Sequence, residues 1–150
     1  MSLTKQLKVY LASGWFTPAA AEEVTNLEAL LTKMNFDMAS PRQIFVCPPN
    51  ASQEVQEATY RGNLHHIETA DFVLCNTRDK DMGTIFEAGY ASAKNVPIVY
   101  FCQGLKGNFN LMLSRSGVKV CTSYEELEQY LTKVQSMGDV VVEAYKGVIE

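Results

Sequence analysis

Short apolar runs alternate with longer amphipathic stretches along the chain. Residues 7–12, 43–47, 72–75, 96–102 and 117–121 have the length and composition of buried strands. Between the first two, Val24, Leu27, Leu31 and Met34 recur at three and four residues, and Thr17-Pro18 supplies an N-cap and a first helical residue. A polar helix is predicted over 52–69, with Val55, Ala58, Tyr60, Leu64 and Ile67 as its apolar positions. Another follows the third strand as far as Lys94. Ser123-Tyr124-Glu125-Glu126 reads as a capping box opening a last helix that carries Leu127, Tyr130, Leu131 and Val134.

Five strands alternating with helices predict an α/β fold: a single domain over 1–150 with a five-stranded parallel sheet of the flavodoxin or Rossmann-like kind, flanked by helices. At 47% hydrophobic and 20% charged residues the composition is that of an ordinary globular protein. A formal net charge of -4 gives no support for binding nucleic acid, and no apolar run reaches the length of a membrane span. The N-terminus carries no signal-peptide pattern, so a cytoplasmic location is expected. Ser2-Leu3 and Glu150 have the look of residues introduced by cloning. Cys47, Cys75, Cys102 and Cys121 are widely spaced and read as buried core residues, while the adjacent His65 and His66 point about 100° apart on a helix, which disfavours joint metal binding. There is neither a Gly-x-Gly-x-x-Gly turn nor a Walker sequence.

The chemistry concentrates in residues 79–91, which leave the strand over 72–75 and turn into a helix. Ligands of open α/β sheets bind beyond the carboxyl ends of the strands. There Gly83 lets the backbone approach a ligand, Asp81 caps the helix and Glu87 falls about one turn inside it, on a face with Tyr90, Ala91 and Lys94. Asp79 and Asp81 read equally well as a solvated acidic loop. Trp15 and Phe16 are either a hydrophobic lid on the core or a stacking wall for a planar base. Asn110 alone reads as a turn residue before two core positions.

Gly83-Thr84-x-x-Glu87-x-Gly89-Tyr90-Ala91 resembles the nucleophile motif of the nucleoside 2-deoxyribosyltransferase family. Tyr10-Leu11-Ala12-Ser13-Gly14-Trp15-Phe16-Thr17 resembles the opening of its lactobacillus-type branch, and Asn110-Leu111-Met112 its Asn-Leu-Met signature. The resemblance implies that Glu87 attacks the anomeric carbon of a 2'-deoxynucleoside, that Asp81, with Asp79 helping, holds the sugar hydroxyls, and that Trp15 and Phe16 wall the base. Tyr10 is expected to keep Glu87 ionised against its acidic neighbours. Asn63, eight positions before Asp71, matches a substrate-contacting helix residue that is aspartate in some relatives; an amide hydrogen-bonds a base without giving up a proton. Asn110 and Met112 would complete a neighbouring subunit's site, which implies a homo-oligomer. The implied substrates are 2'-deoxynucleosides and free purine or pyrimidine bases, with no cofactor or metal. The tail over 140–150 resembles a C-terminus that ends in tyrosine, whereas here Glu150 stands last. Two other readings stay open: an N-glycosidase of deoxynucleosides or their 5'-monophosphates, and a non-catalytic nucleoside-binding module.

Overall fold

The computed structural model describes residues 5–44 and 46–150. Ser2-Leu3 and Phe45 lie outside the described residues. Five parallel strands, β1 (Lys8–Ala12), β2 (Asp37–Ala39), β3 (Phe72–Asn76), β4 (Ile98–Phe101) and β5 (Lys119–Cys121), form one sheet in the order β2-β1-β3-β4-β5. The helices are α1 (Pro18–Lys33), α2 (Pro41–Ile44), α3 (Gln53–Glu68), α4 (Met82–Ala93), α5 (Leu111–Ser116) and α6 (Tyr124–Met137).

Both faces of the sheet are covered, and successive strand residues divide between two cores. Val9, Leu11, Phe72, Leu74, Val99 and Phe101 pack with α1 and α6 through Val24, Leu27, Leu31, Leu127 and Leu131. Tyr10, Ala12, Val73, Cys75, Ile98 and Tyr100 pack on the opposite face with Ile67 of α3 and Ala88 and Ala91 of α4. The chain runs outward from β1 to β2, then crosses back to β3 on the other side of β1. The strand order therefore reverses between β1 and β3, whose carboxyl ends lie side by side with Ala12 opposite Cys75. Such a switch point leaves a crevice that the diverging connections do not fill.

Side-chain caps fix the helix starts. Thr17, Ser52, Asp81, Asn110 and Ser123 each accept a hydrogen bond from a backbone N–H in the first turn of the following helix. In the capping box, Glu126 accepts from the Thr122 N–H, one residue outside the expected partner. Asn35 and Asn95, with φ of 63° and 59°, turn the chain out of α1 and α4.

The strand expected over 43–47 is not there. Gln43 and Ile44 close the short helix α2, Val46 and Cys47 are irregular, and Val46 is exposed. The second strand is instead Asp37–Ala39, paired with Lys8, Val9 and Tyr10 of β1. Only Ala39 is buried in it, so pairing at the sheet edge rather than burial holds it, and an apolar-run criterion passes it by. Two of the four cysteines, Cys75 and Cys121, are buried as expected, while Cys47 and Cys102 are half-buried. Among the described residues, no helix is long and apolar enough to cross a membrane.

Candidate active site

Beyond the switch point lies a cavity of about 310 Å³, lined by Ser13, Trp15, Phe16, Pro41, Tyr60, Asn63, Leu64, Asp81, Gly83, Phe86 and Glu87. Its size is at the lower end of that of small-molecule sites. Four connections contribute: the β1–α1 loop, the start of α2, the middle of α3, and the β3–α4 turn with the first turns of α4.

Glu87 lies beside the packed stripe of α4, which is Thr84, Ala88 and Ala91. From β1, Tyr10 points to the same face of the sheet, and its hydroxyl donates a hydrogen bond to Glu87 Oε2. Burial raises the Glu87 carboxyl to about 7, the Tyr10 hydrogen bond works against that rise, and the Asp81 charge adds to it. Burial, and then the Glu87 charge, push the Tyr10 phenol well above its ordinary value, so it remains a donor. Beneath them burial, with the two carboxylates adding, raises the Cys75 thiol as well; it forms a neutral, apolar part of the core.

The two loop acids part company. Asp81 Oδ2 accepts from the Thr84 N–H and from the Thr84 hydroxyl, both at 2.9 Å, which anchors it as the α4 cap. Asp79 does not line the cavity; its Oδ2 accepts from the Thr17 hydroxyl at 3.1 Å and ties the two loops together. Between them Lys80 adopts φ of 52°, a left-handed turn that sends neighbouring side chains in different directions. A further tie lies below, where Asn76 Nδ2 donates to Ser13 Oγ (3.2 Å) and to Glu23 Oε1 (3.1 Å), and buried Glu23 pairs with Arg78.

Trp15 and Phe16 stand together at the cavity, ring centroids 4.9 Å apart. Asn63 reaches it from α3, and its Oδ1 is buried with no hydrogen-bond partner among the described residues. Gly83, the second residue of α4, stands at the cavity wall. Asn110 and Met112 lie elsewhere, in a second cavity of about 520 Å³ with Arg78, Lys80, Ile85 and Glu150. Tyr60 and Leu64 are expected from the sequence only as apolar positions of α3 and Ser13 only as part of the β1 motif, while nothing in the sequence singles out Phe86 or Pro41. Tyr60 precedes Asn63 by three positions on one helix and Phe86 precedes Glu87 directly, and only these spacings connect the two rings to the site.

Gly14 has a steric role. A Cβ there would lie 3.0 Å from Asp81 Cβ and Cγ, closer than van der Waals contact allows. Gly14→Ala is therefore expected to displace Asp81 and lower kcat/KM by about 10- to 100-fold, the penalty of a misplaced positioning group. Steady-state kinetics with a folded variant check this, and unchanged kinetics would mean that the Asp81 position is not critical.

A carboxylate held by a phenol, in a crevice walled by aromatic rings and reached by an unpartnered amide oxygen, can take a ligand with a flat apolar part. The family model for nucleoside 2-deoxyribosyltransferases matches residues 9–129 and so spans the Tyr10, Trp15, Asn63, Asp81 and Glu87 positions. The chain belongs to the nucleoside 2-deoxyribosyltransferase family. Its fold is that of the 2-deoxyribosyltransferase of Bacillus psychrosaccharolyticus, with a TM-score of 0.78 at 24% identity over 93% of this chain and 99% of that one. A conserved protein from Enterococcus faecalis V583 shares the fold at a TM-score of 0.69 and 17% identity, over 86% and 99% of the two chains. The CMP N-glycosidase of Clostridium botulinum does so at 0.58 and 15%, over 83% and 98%. No curated protein sequence matches this chain significantly.

Proposed function

We propose that the protein transfers 2-deoxyribose from a 2'-deoxynucleoside to another purine or pyrimidine base through an ester on Glu87. The observation that carries this reading is the Tyr10-bonded Glu87 carboxylate, facing a cavity between aromatic side chains. In the first step a Glu87 oxygen bonds to C1' as the glycosidic C–N bond breaks, and the base leaves with the bonding electrons. Its proton comes from solvent, because the Asn63 amide hydrogen-bonds a base without ionising. In the second step a nitrogen of the incoming base attacks C1' from the opposite face, the base gives up its N–H proton to solvent, and the ester oxygen returns to Glu87 as carboxylate. Two inversions retain the β configuration. Asp81, its Oδ2 engaged by Thr84, presents Oδ1 to the sugar hydroxyls. No metal or cofactor takes part.

The site is completed by a second copy of the chain in a homo-oligomer. Asn110 and Met112 do not reach their own chain's Glu87 cavity, and Met112 is exposed. With Asn110 Oδ1 engaged in capping α5, its amide N–H groups are available to a 5'-hydroxyl. Cytoplasmic salvage of free deoxynucleosides is the setting that fits this chemistry.

Chromatography tests the reading. The protein is incubated with thymidine and adenine, and separately with thymidine alone. Deoxyadenosine in the first mixture, with little thymine released in the second, is the expected result. Equal thymine release in both would make the protein a hydrolase. Because ionised Glu87 is the attacking form, kcat/KM is expected to rise with pH and level off above about 7. A flat profile between pH 5 and 8 would argue against a raised carboxyl as nucleophile.

A further inference from the structure

The cavity has aromatic side chains from both faces of the sheet. Trp15 packs on the α1 and α6 core. Tyr60 and Phe86 come from α3 and α4 on the other face, with ring centroids 6.2 Å apart. These two are 46% and 50% exposed, which places them towards the cavity mouth, whereas Glu87 is half-buried. An aromatic side chain half in water gains little stability for the fold.

Phe86 is nonetheless held in place. Tyr90 stacks on it, centroids 6.5 Å apart and planes 21° from parallel. The Tyr90 hydroxyl donates to Glu68, the Lys94 ammonium lies 5.6 Å from the Tyr90 ring centroid, and Tyr90 packs on the core. Tyr60 shares a face of α3 with Asn63, whose Oδ1 is the unpartnered acceptor. Two braced rings at the mouth, one turn of helix from a free amide oxygen, make a surface that a flat heterocycle would cover.

We propose that Tyr60 and Phe86 form the outer wall of the base subsite and favour fused two-ring bases over single-ring ones. This deepens the reading of the cavity as a nucleoside site and rests on it. A base is pinned at its glycosidic nitrogen, next to Glu87. A pyrimidine ends one ring away from that point, against the half-buried Trp15, while the second ring of a purine extends towards the mouth, where Phe16 is also exposed, and stacks on the outer pair.

The test is equilibrium dialysis of adenine and of thymine against the wild-type protein, Tyr60→Ala, Tyr60→Phe and Phe86→Ala. Fluorescence of Trp15, the single tryptophan, reports on the same cavity. Each alanine variant is expected to weaken adenine binding about tenfold and thymine binding less than about threefold, as loss of one stacking platform implies. Tyr60→Phe should bind adenine like the wild type, because the ring face and not the hydroxyl acts. Equal losses for the two bases, no loss for either, or a Tyr60→Phe defect as large as that of alanine would overturn the proposal. So would a loss accompanied by dissociation of an oligomer in sedimentation, which would assign the rings to a subunit contact. Transfer is assayed separately. Normal transfer without ring-size discrimination removes this inference alone, and discrimination without transfer removes the proposed reaction alone.

Discussion

Replacing Glu87 with glutamine is expected to abolish base exchange, lowering the rate on the order of ten-thousand-fold, as removal of a covalent nucleophile does elsewhere. The same substitution should make the protein more stable near neutral and alkaline pH. Burial raises the Glu87 carboxyl from an ordinary 4.5 to about 7, so the folded state binds its proton more tightly than the unfolded chain does. Its contribution to stability is complete below pH 4.5, declines as pH rises and is gone above 7. Glutamine has no charge to desolvate and keeps an acceptor for Tyr10. At pH 8 the variant should therefore be more stable by roughly 2–3 kcal/mol, a difference that fades towards pH 4.5. Urea melts at the two pH values measure this. Equal stability at both, or transfer persisting in the variant, would remove Glu87 from its role.

Asp81 is expected to show the second largest effect, because one carboxylate does two jobs. Asp81→Ala removes the α4 cap and, in the proposed reaction, the oxygen offered to the sugar hydroxyls. We expect about 1 kcal/mol of lost stability from the cap and a fall in kcat/KM of about 100-fold or more from the sugar contact. Asp81→Asn separates the two, since its amide oxygen still accepts from the Thr84 N–H. Its melting temperature should stay near that of the wild type while kcat/KM remains low. Full activity in Asp81→Asn would show that the charge on Asp81 does not matter to the reaction and that capping is its whole contribution.

The parts of this molecule legible in the sequence are those governed by local rules. Helix starts followed from the side chains that cap them at Thr17, Asp81 and Ser123, and the buried stripe of α6 followed from its spacing. β2 was hidden because three residues at a sheet edge need only a partner strand, while the apolar run over 43–47 has none. Tyr10 and Glu87 are 77 positions apart in sequence, and only strand register and helix packing bring them together. Family motifs named both residues, but the hydrogen bond between them is a tertiary fact. Asp79 and Asp81 are two positions apart, but the left-handed Lys80 lies between them and the Asp79 carboxylate accepts from Thr17, a tie between loops that sequence spacing does not show. Tyr60 reads from the sequence as a packed position of its helix and Phe86 carries no signal of its own, because an aromatic residue on a helix ordinarily signals core and nothing local marks one that stays at the surface beside a cavity.

The C-terminal residues run alongside the loop that carries Asn110. The Phe109 N–H donates to the Val148 carbonyl at 2.9 Å, the Glu150 N–H to the Phe109 carbonyl at 3.1 Å, and the Leu111 N–H to a main-chain oxygen of Glu150 at 3.1 Å. Whatever is joined to Glu150, whether an affinity handle, a fluorescent reporter or a resin, is thereby delivered beside Asn110 and Met112. Lys5 to Leu7 lead into the opposite ends of the parallel strands, across the thickness of the protein from the crevice. A label carried on the Lys5 side chain therefore stays clear of the crevice.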